Sequence, residues 1–174
     1  MINKPFFSVI IPLYNKEDYI ESTLKSVIDQ VFTDFEVIII NDGSTDKSRE
    51  VIKNFNDQRI VIKNQKNKGL SAARNTGIKI AKANHIAFLD ADDTWDPNKG
   101  QHQQDLLDSD AKLAGCHTGV HVFSKNKNII ETCITKPAIL NFKNSAIESH
   151  VVPSSFMLRK SIFEEVGGFD PKVG

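Results

Sequence analysis

Asp90, Asp92 and Asp93 put three carboxylates within four positions, directly after the apolar run His85-Ile86-Ala87-Phe88-Leu89. Like charges this close raise one another's pKa, a cost that a bound cation usually offsets. Hard carboxylate oxygens suit Mg2+ or Mn2+, which take one or two such ligands and complete their shell with water and substrate phosphates. The cluster therefore predicts a divalent metal and a diphosphate-bearing substrate, set against the plainer alternative of a solvated acidic turn capping the next helix. A second candidate, Asn41-Asp42-Gly43-Ser44, follows the apolar run Phe35 to Ile40. Ionised Asp42 only accepts hydrogen bonds, so it fits a donor such as a base imino group or a ribose hydroxyl. The third is Asn67 to Asn75, where Gly69 and a helix start lie beside Lys68, with Arg74 about one turn further on. Helix N-termini and cations attract phosphate. The competing reading there is a capped helix with solvated basic side chains, weaker for Arg74 among alanines.

These residues need elements that carry them to one place. Phe6 to Ile11 reads as a strand buried on both faces, with Pro12 forcing the chain out of the ladder. Lys16 to Gln30 reads as an amphipathic helix, with Tyr19, Ile20, Leu24, Val27 and Ile28 at helical spacing. Phe35 to Ile40 repeats the buried-strand pattern, and Ser44 or Thr45 is placed to cap a helix running to about Phe55. A strand over Arg59 to Ile62, a polar loop from Lys63 to Gly69, a helix over Ser71 to Ala83 and the strand His85 to Leu89 follow. Strand and helix alternating in this way predict a mostly parallel, helix-covered sheet, whose ligands bind beyond the carboxyl ends of the strands. Asp42 and Asp90 both fall on that rim. Beyond a helix over Asn98 to Leu107, strands Ala114 to Phe123 and Asn128 to Thr135 form a hairpin across the turn Ser124 to Lys127. Val151 to Leu158 reads as a Pro-interrupted edge strand, and Ser161 to Val166 as a short helix ended by Gly167-Gly168.

The chain has 174 residues, 40% hydrophobic and 25% charged, and its 22 basic residues balance 22 acidic ones. This is the profile of a soluble globular protein with one core. Zero net charge argues against nucleic acid as a partner. The apolar runs Phe6 to Leu13 and Val37 to Ile40 fall far short of the roughly 20 residues that span a bilayer. The N-terminus lacks a signal-peptide pattern, so a cytoplasmic location is expected, with Cys116 and Cys133 as reduced packing residues.

Val9-Ile10-Ile11-Pro12-Leu13-Tyr14-Asn15, then Val37 to Asp46, then Asn67 to Asn75, then Asp90-Ala91-Asp92-Asp93 resemble, in order and spacing, the successive signatures of family-2 glycosyltransferases with the GT-A fold. Pro153-Ser154-Ser155 and Phe163 to Asp170 are similar to that family's acceptor-side region, so the likeness covers nearly the whole chain. It implies an α/β, Rossmann-like architecture: a mostly parallel central sheet with helices on both faces, plus a smaller hairpin-containing acceptor-side region. A single domain over 1–174 is implied, with a nucleotide-sugar-binding half at 1–97 and an acceptor-side half at 98–174. The implied activity is metal-dependent, inverting sugar transfer from a nucleotide diphosphate donor, a UDP-sugar above all, to a glycan or lipid-linked acceptor in cell-surface polysaccharide synthesis.

Residue by residue, the resemblance puts Pro12 and Tyr14 in the base pocket, with Asp42 hydrogen-bonding the nucleobase and Arg74 and Gly69 closing the pocket's side. Asp90 then holds the ribose or the metal's water shell. Asp92 ligates Mn2+ or Mg2+, and Asp93 is the next candidate. The metal neutralises charge on the departing nucleoside diphosphate. The general base that takes the acceptor's proton is a carboxylate expected beyond Gly174, as is any contact with the inner face of a membrane.

Two other readings compete. Ile86 to Thr94 also fits an apolar strand followed by the Asp-x-Asp-x-Thr of haloacid-dehalogenase-like phosphatases, with Asp90 as nucleophile and Asp92 as acid/base. A catalytically silent nucleotide-sugar-binding domain is the third reading. His117 and His121, about 13 Å apart on a continuous strand, are too far apart to share an ion and are expected to be structural. His150 is expected at the surface or in packing. Trp95 is placed either to stack on a sugar or to anchor the turn, and the phenylalanines are expected in the core.

Overall fold

The computed structural model describes residues 4–124, 129–133 and 152–172. β1 (Phe7–Leu13) and β2 (Phe35–Asn41) are buried along their whole length, which is what a near-continuous apolar run in a helix-covered parallel sheet requires. With β3 (Ile60–Asn64), β4 (His85–Phe88), β5 (Gly115–His117) and β8 (Phe156–Arg159) they form one sheet of order β3-β2-β1-β4-β8-β5. The β3-β2-β1-β4 portion is parallel, and β8 runs antiparallel to both β4 and β5. The expected mostly parallel α/β sheet is present, and strands from the second half of the chain complete it.

Side-chain alternation along β1 divides the core into two layers. Phe7, Val9, Ile11 and Leu13 pack with Ile20, Leu24 and Val27 of α1 (Ile20–Ile28) and Ile52 of α2 (Ser48–Lys53). Ile10 faces the other layer, with Ile38, Ile40 and Phe88, against Ala73 and Ile78 of α3 (Leu70–Ile80). Leu107 of α4 (Lys99–Ser109) joins the first layer, and Phe163 of α5 (Lys160–Val166) the second. Helices therefore cover both faces. None of the described helices is long and apolar enough to cross a membrane.

Pro12 does not end the first strand: it pairs with Ile40, and Leu13 with Asn41. The Ile10 carbonyl accepts from the Leu89 N–H on the β4 side, while the Leu13 carbonyl accepts from the Asp42 N–H on the β2 side. By alternation, Pro12 points its missing N–H towards β4, whose pairing with β1 stops at Phe88. No ladder hydrogen bond is lost, so proline is tolerated there.

The first two helices start later than expected. Residues 16–19 form a turn, with the Lys16 carbonyl accepting from the Tyr19 and Ile20 N–H groups. Ser44 and Thr45 do not cap α2. The Ser44 hydroxyl accepts from the Asn15 N–H, the Asn15 carboxamide oxygen accepts from the Thr45 N–H at 2.8 Å, and Asp46 accepts from the N–H of Ser48. The two loops are thus stitched together at the expense of helix length.

Ala114 to Phe123 is not one strand. β5 stays in the main sheet, and after Thr118 and Gly119 the chain leaves as β6 (Val120–Phe123), which pairs with β7 (Ile129–Cys133) in a separate two-stranded sheet. Of the turn 124–127, all but Ser124 lies outside the described residues, as do His150 and the side chain of Cys133. β8 is internal rather than an edge. Pro153–Ser155 is a 3-10 turn outside the ladder, so the proline interrupts nothing, and β8 begins only after it. Gly167, left-handed at φ 85°, ends α5 as expected.

Candidate functional site

A cleft of about 430 Å3 opens where β1, β2 and β4 end and α3 begins. Pro12, Tyr14, Asp42, Gly69, Asp90 and Asp92 all line it, so residues from four separate sequence motifs converge. Arg74 and Asp93 are not among its lining residues.

Asp42 is buried, and its carboxylate organises the cleft wall. Oδ1 accepts from the Lys68 N–H at 2.9 Å and from Gln65 Nε2 at 2.7 Å, and Oδ2 accepts from the Gly69 N–H at 2.9 Å. A carboxylate offers about four lone-pair sites, so one acceptor position on Oδ2 remains for a donor in the cleft. The bend this demands explains Gly69, whose φ of +86° is left-handed and so favours glycine. The space beside Gly69 is open, so conformation rather than crowding selects it. Lys68 is exposed and contributes its backbone. Tyr14 stands on the rim, 48% exposed.

Arg74 reaches the cleft through Asp90. Its guanidinium Nη2 donates to Asp90 Oδ1 at 2.7 Å, over the rings of Phe169 and Phe88. It is buried, and its Nε has no hydrogen-bond partner among the described residues. This pair orients Asp90 and neutralises it.

Asp92 meets a partner that sequence reasoning did not single out: Lys16 Nζ lies 2.6 Å from Asp92 Oδ2, with both side chains more than a third exposed. The hydrogen bond and charge of Asp92 raise the Lys16 pKa against a smaller cost of burial. Asp93 turns away from the cleft. Burial raises its pKa, the charges of Asp90 and Asp92 add to this, and the Ser154 hydroxyl, donating at 2.5 Å, opposes it. Ser154 also accepts from the Asp90 N–H at 3.1 Å, so one hydroxyl ties both ends of the acidic turn. The Trp95 indole N–H donates to the Ser154 carbonyl at 3.0 Å, and the ring is buried. Trp95 therefore anchors the turn and is unavailable to a sugar.

Under Trp95 lies Lys99, also buried, with Nζ 4.1 Å from the ring centre and donating to Gln103 Oε1. Gln103 in turn donates to the Ser155 carbonyl at 3.1 Å. Burial lowers Lys99 to about 7 and pushes the neighbouring Cys116 thiol, which is free, up to about 11. His117 and His121 lie on strands of different sheets, and His121 Nδ1 pairs with the Thr132 hydroxyl, in keeping with a structural role. Lys16 was within reach of rim logic, since it follows the end of β1 directly. Ser154 was not, because its contacts join residues 61 and 64 positions apart.

Among the described residues no group of three or more His, Cys, Asp and Glu side chains is placed to enclose a metal ion. The donor set still fits a hard cation. Asp92 and Asp90 present carboxylate oxygens to one cleft, and Mg2+ or Mn2+ needs only one or two from the protein when phosphates supply others.

Residues 8–167 match the family model described as Glycosyl transferase family 2. TuaG of Bacillus subtilis, a glycosyltransferase assigned to teichuronic acid biosynthesis, is 34% identical over 145 residues, covering 82% of this chain and 57% of TuaG. WfaP of Escherichia coli, a UDP-Glc:α-D-GlcNAc-diphosphoundecaprenol β-1,3-glucosyltransferase, is 41% identical over 104 residues, covering 59% of this chain and 41% of WfaP. The chain thus spans 57% of the length of TuaG and 41% of that of WfaP. Among solved structures, Staphylococcus aureus TarS 1–349 in complex with UDP superposes with a TM-score of 0.81 at 22% identity, over 96% of this chain and 51% of that one. The mannosyltransferase PcManGT of Pyrobaculum calidifontis, in complex with GDP-Man and Mn2+, gives 0.73 at 20% identity, over 99% and 50%. At these identities the superpositions speak for the GT-A fold alone. The family match over most of the chain displaces the phosphatase reading of Asp90, which is in any case paired to Arg74, and the chain belongs to glycosyl transferase family 2.

Proposed function

We propose that this chain carries the donor site of a metal-dependent, inverting glycosyltransferase that takes a UDP-sugar and builds a cell-surface glycan, on a glycan or lipid-linked acceptor. The convergence of Pro12, Tyr14, Asp42, Gly69, Asp90 and Asp92 on one cleft carries the reading. Tyr14 and Pro12 flank the base, and the remaining lone pair of Asp42 accepts from its imino group. Asp90, held by Arg74, accepts from a ribose hydroxyl. Asp92, with Asp90 beside it, would hold a divalent cation that neutralises charge on the departing diphosphate. TarS with UDP and PcManGT with Mn2+ lend support by analogy of fold. TuaG and WfaP support the polysaccharide and lipid-linked assignments.

Isothermal titration of UDP with and without Mn2+, on wild type and Asp92→Ala, tests this. Binding that requires Mn2+ and is lost in the variant is expected. No binding in either condition overturns the donor-site reading. Binding indifferent to Mn2+ overturns the metal dependence.

A further inference from the structure

Among the described residues, the cleft is lined by three acids, Asp42, Asp90 and Asp92, and by one basic side chain, Lys16. Each acid has its own partner, and the partners differ in how firmly they are held. Asp42 is occupied by backbone N–H groups and Gln65. Asp90 is paired to Arg74, whose side chain is 8% exposed and packed on two aromatic rings. Lys16 is different. Its backbone is pinned to the rim, the N–H donating to the Ser48 hydroxyl at 2.8 Å and the carbonyl accepting from Tyr19 and Ile20. Its side chain is 37% exposed, and beside Asp92 it faces the Tyr19 ring, at 5.8 Å, and the charge of Asp90. An ammonium on a flexible four-carbon stem in such a setting is a releasable charge. An exposed pair of this kind is weakly held.

The geometry points to Lys16 as a built-in counter-ion that competes with the divalent cation for the Asp92 carboxylate and, once displaced, offers its ammonium to the donor's diphosphate. The inference rests on the assignment of Asp92 as a metal ligand. With Asp92 taken by a cation, Lys16 loses its partner, stays anchored at the cleft wall, and faces an incoming group of opposite charge. The same residue therefore opposes one ligand and favours the other, and a merely structural ion pair would not behave in this way.

Titration of MnCl2 into wild type, Lys16→Met and Asp92→Asn, followed by UDP at saturating Mn2+ into the first two, separates the possibilities. Lys16→Met is expected to bind Mn2+ about two- to five-fold more tightly, the range of an exposed ion pair. It is expected to bind UDP about three- to ten-fold more weakly, the range of a single solvent-exposed hydrogen bond. Lys16→Arg, which keeps the charge, should stay near wild type on both. Mn2+ affinity unchanged or weakened in Lys16→Met, or UDP affinity unchanged, overturns the inference. If Asp92→Asn loses Mn2+ while Lys16→Met binds it no more tightly than wild type, the metal assignment stands while Lys16 falls. If neither wild type nor Lys16→Met binds Mn2+, with or without UDP present, both fall together.

Discussion

At the scale of single residues, the site is governed by carboxylates in unequal surroundings. Asp42 accepts two backbone N–H bonds, which an amide at the same position cannot fully replace. Asp42→Asn should therefore lower stability by about 2 kcal/mol, as loss of hydrogen bonds to a buried charge does, and weaken UDP binding, as read by denaturant unfolding and calorimetry. Lys99 makes a separate prediction. Its folded pKa of about 7 lies below the 10.5 of an ordinary lysine, so between these values the unfolded chain binds more protons and stability rises with pH. Cys116 works the other way: its thiol stays protonated to about 11 when folded, against 9.0 otherwise, so it costs stability as pH climbs above 9. Stability should thus rise from about pH 7 to 9, by at most about 1.4 kcal/mol per pH unit, and flatten beyond. Lys99→Met should remove that rise, which pH-dependent urea unfolding will show.

At the scale of elements, the cleft depends on how closely α3 lies on the sheet. A Cβ added at Gly77 would sit 2.4 Å from Ile10 Cγ2, far inside contact distance, and Ile10 is wholly buried. Gly77→Ala gains about 1 kcal/mol of helix propensity but must push α3 away from β1. The net expectation is a loss of about 1–2 kcal/mol by chemical denaturation, with weaker UDP binding because Gly69 and Asp42 separate. In a double-mutant cycle with Ile10→Ala, a combined loss smaller than the sum of the two single losses would confirm steric overlap as the cause.

At the scale of the whole molecule, the two parts of the chain meet at Ser154. Its hydroxyl holds Asp90 and Asp93 together, and its carbonyl takes the Trp95 indole. Ser154→Ala leaves the Asp90 N–H unpaired, and a destabilisation of about 1–2 kcal/mol is expected. If the acidic turn binds the donor's metal, Mn2+-dependent UDP affinity should fall about five-fold as well. A fall in melting temperature with unchanged affinity would limit Ser154 to a structural role.

Local chemistry decided a good deal from the amino-acid order alone. The strands at Phe7–Leu13, Phe35–Asn41 and His85–Phe88 were legible because residues buried on both faces form continuous apolar runs. Rim positions for Asp42 and Asp90 followed, since a parallel sheet presents its strand ends to ligands. What the order alone could not decide were contacts whose partners lie far apart in the chain. Pro12 stays in the ladder because β4 stops short of it. Ala114 to Phe123 divides because β5 finds β8 while β6 finds β7, and Trp95 is buried because Ser154 arrives beneath it. Arg74 and Lys16 carry the same charge, yet one is buried on the rings of Phe88 and Phe169 and the other pairs with Asp92 at the exposed rim. Burial and pairing of this kind depend on three-dimensional neighbours, which composition and periodicity do not encode.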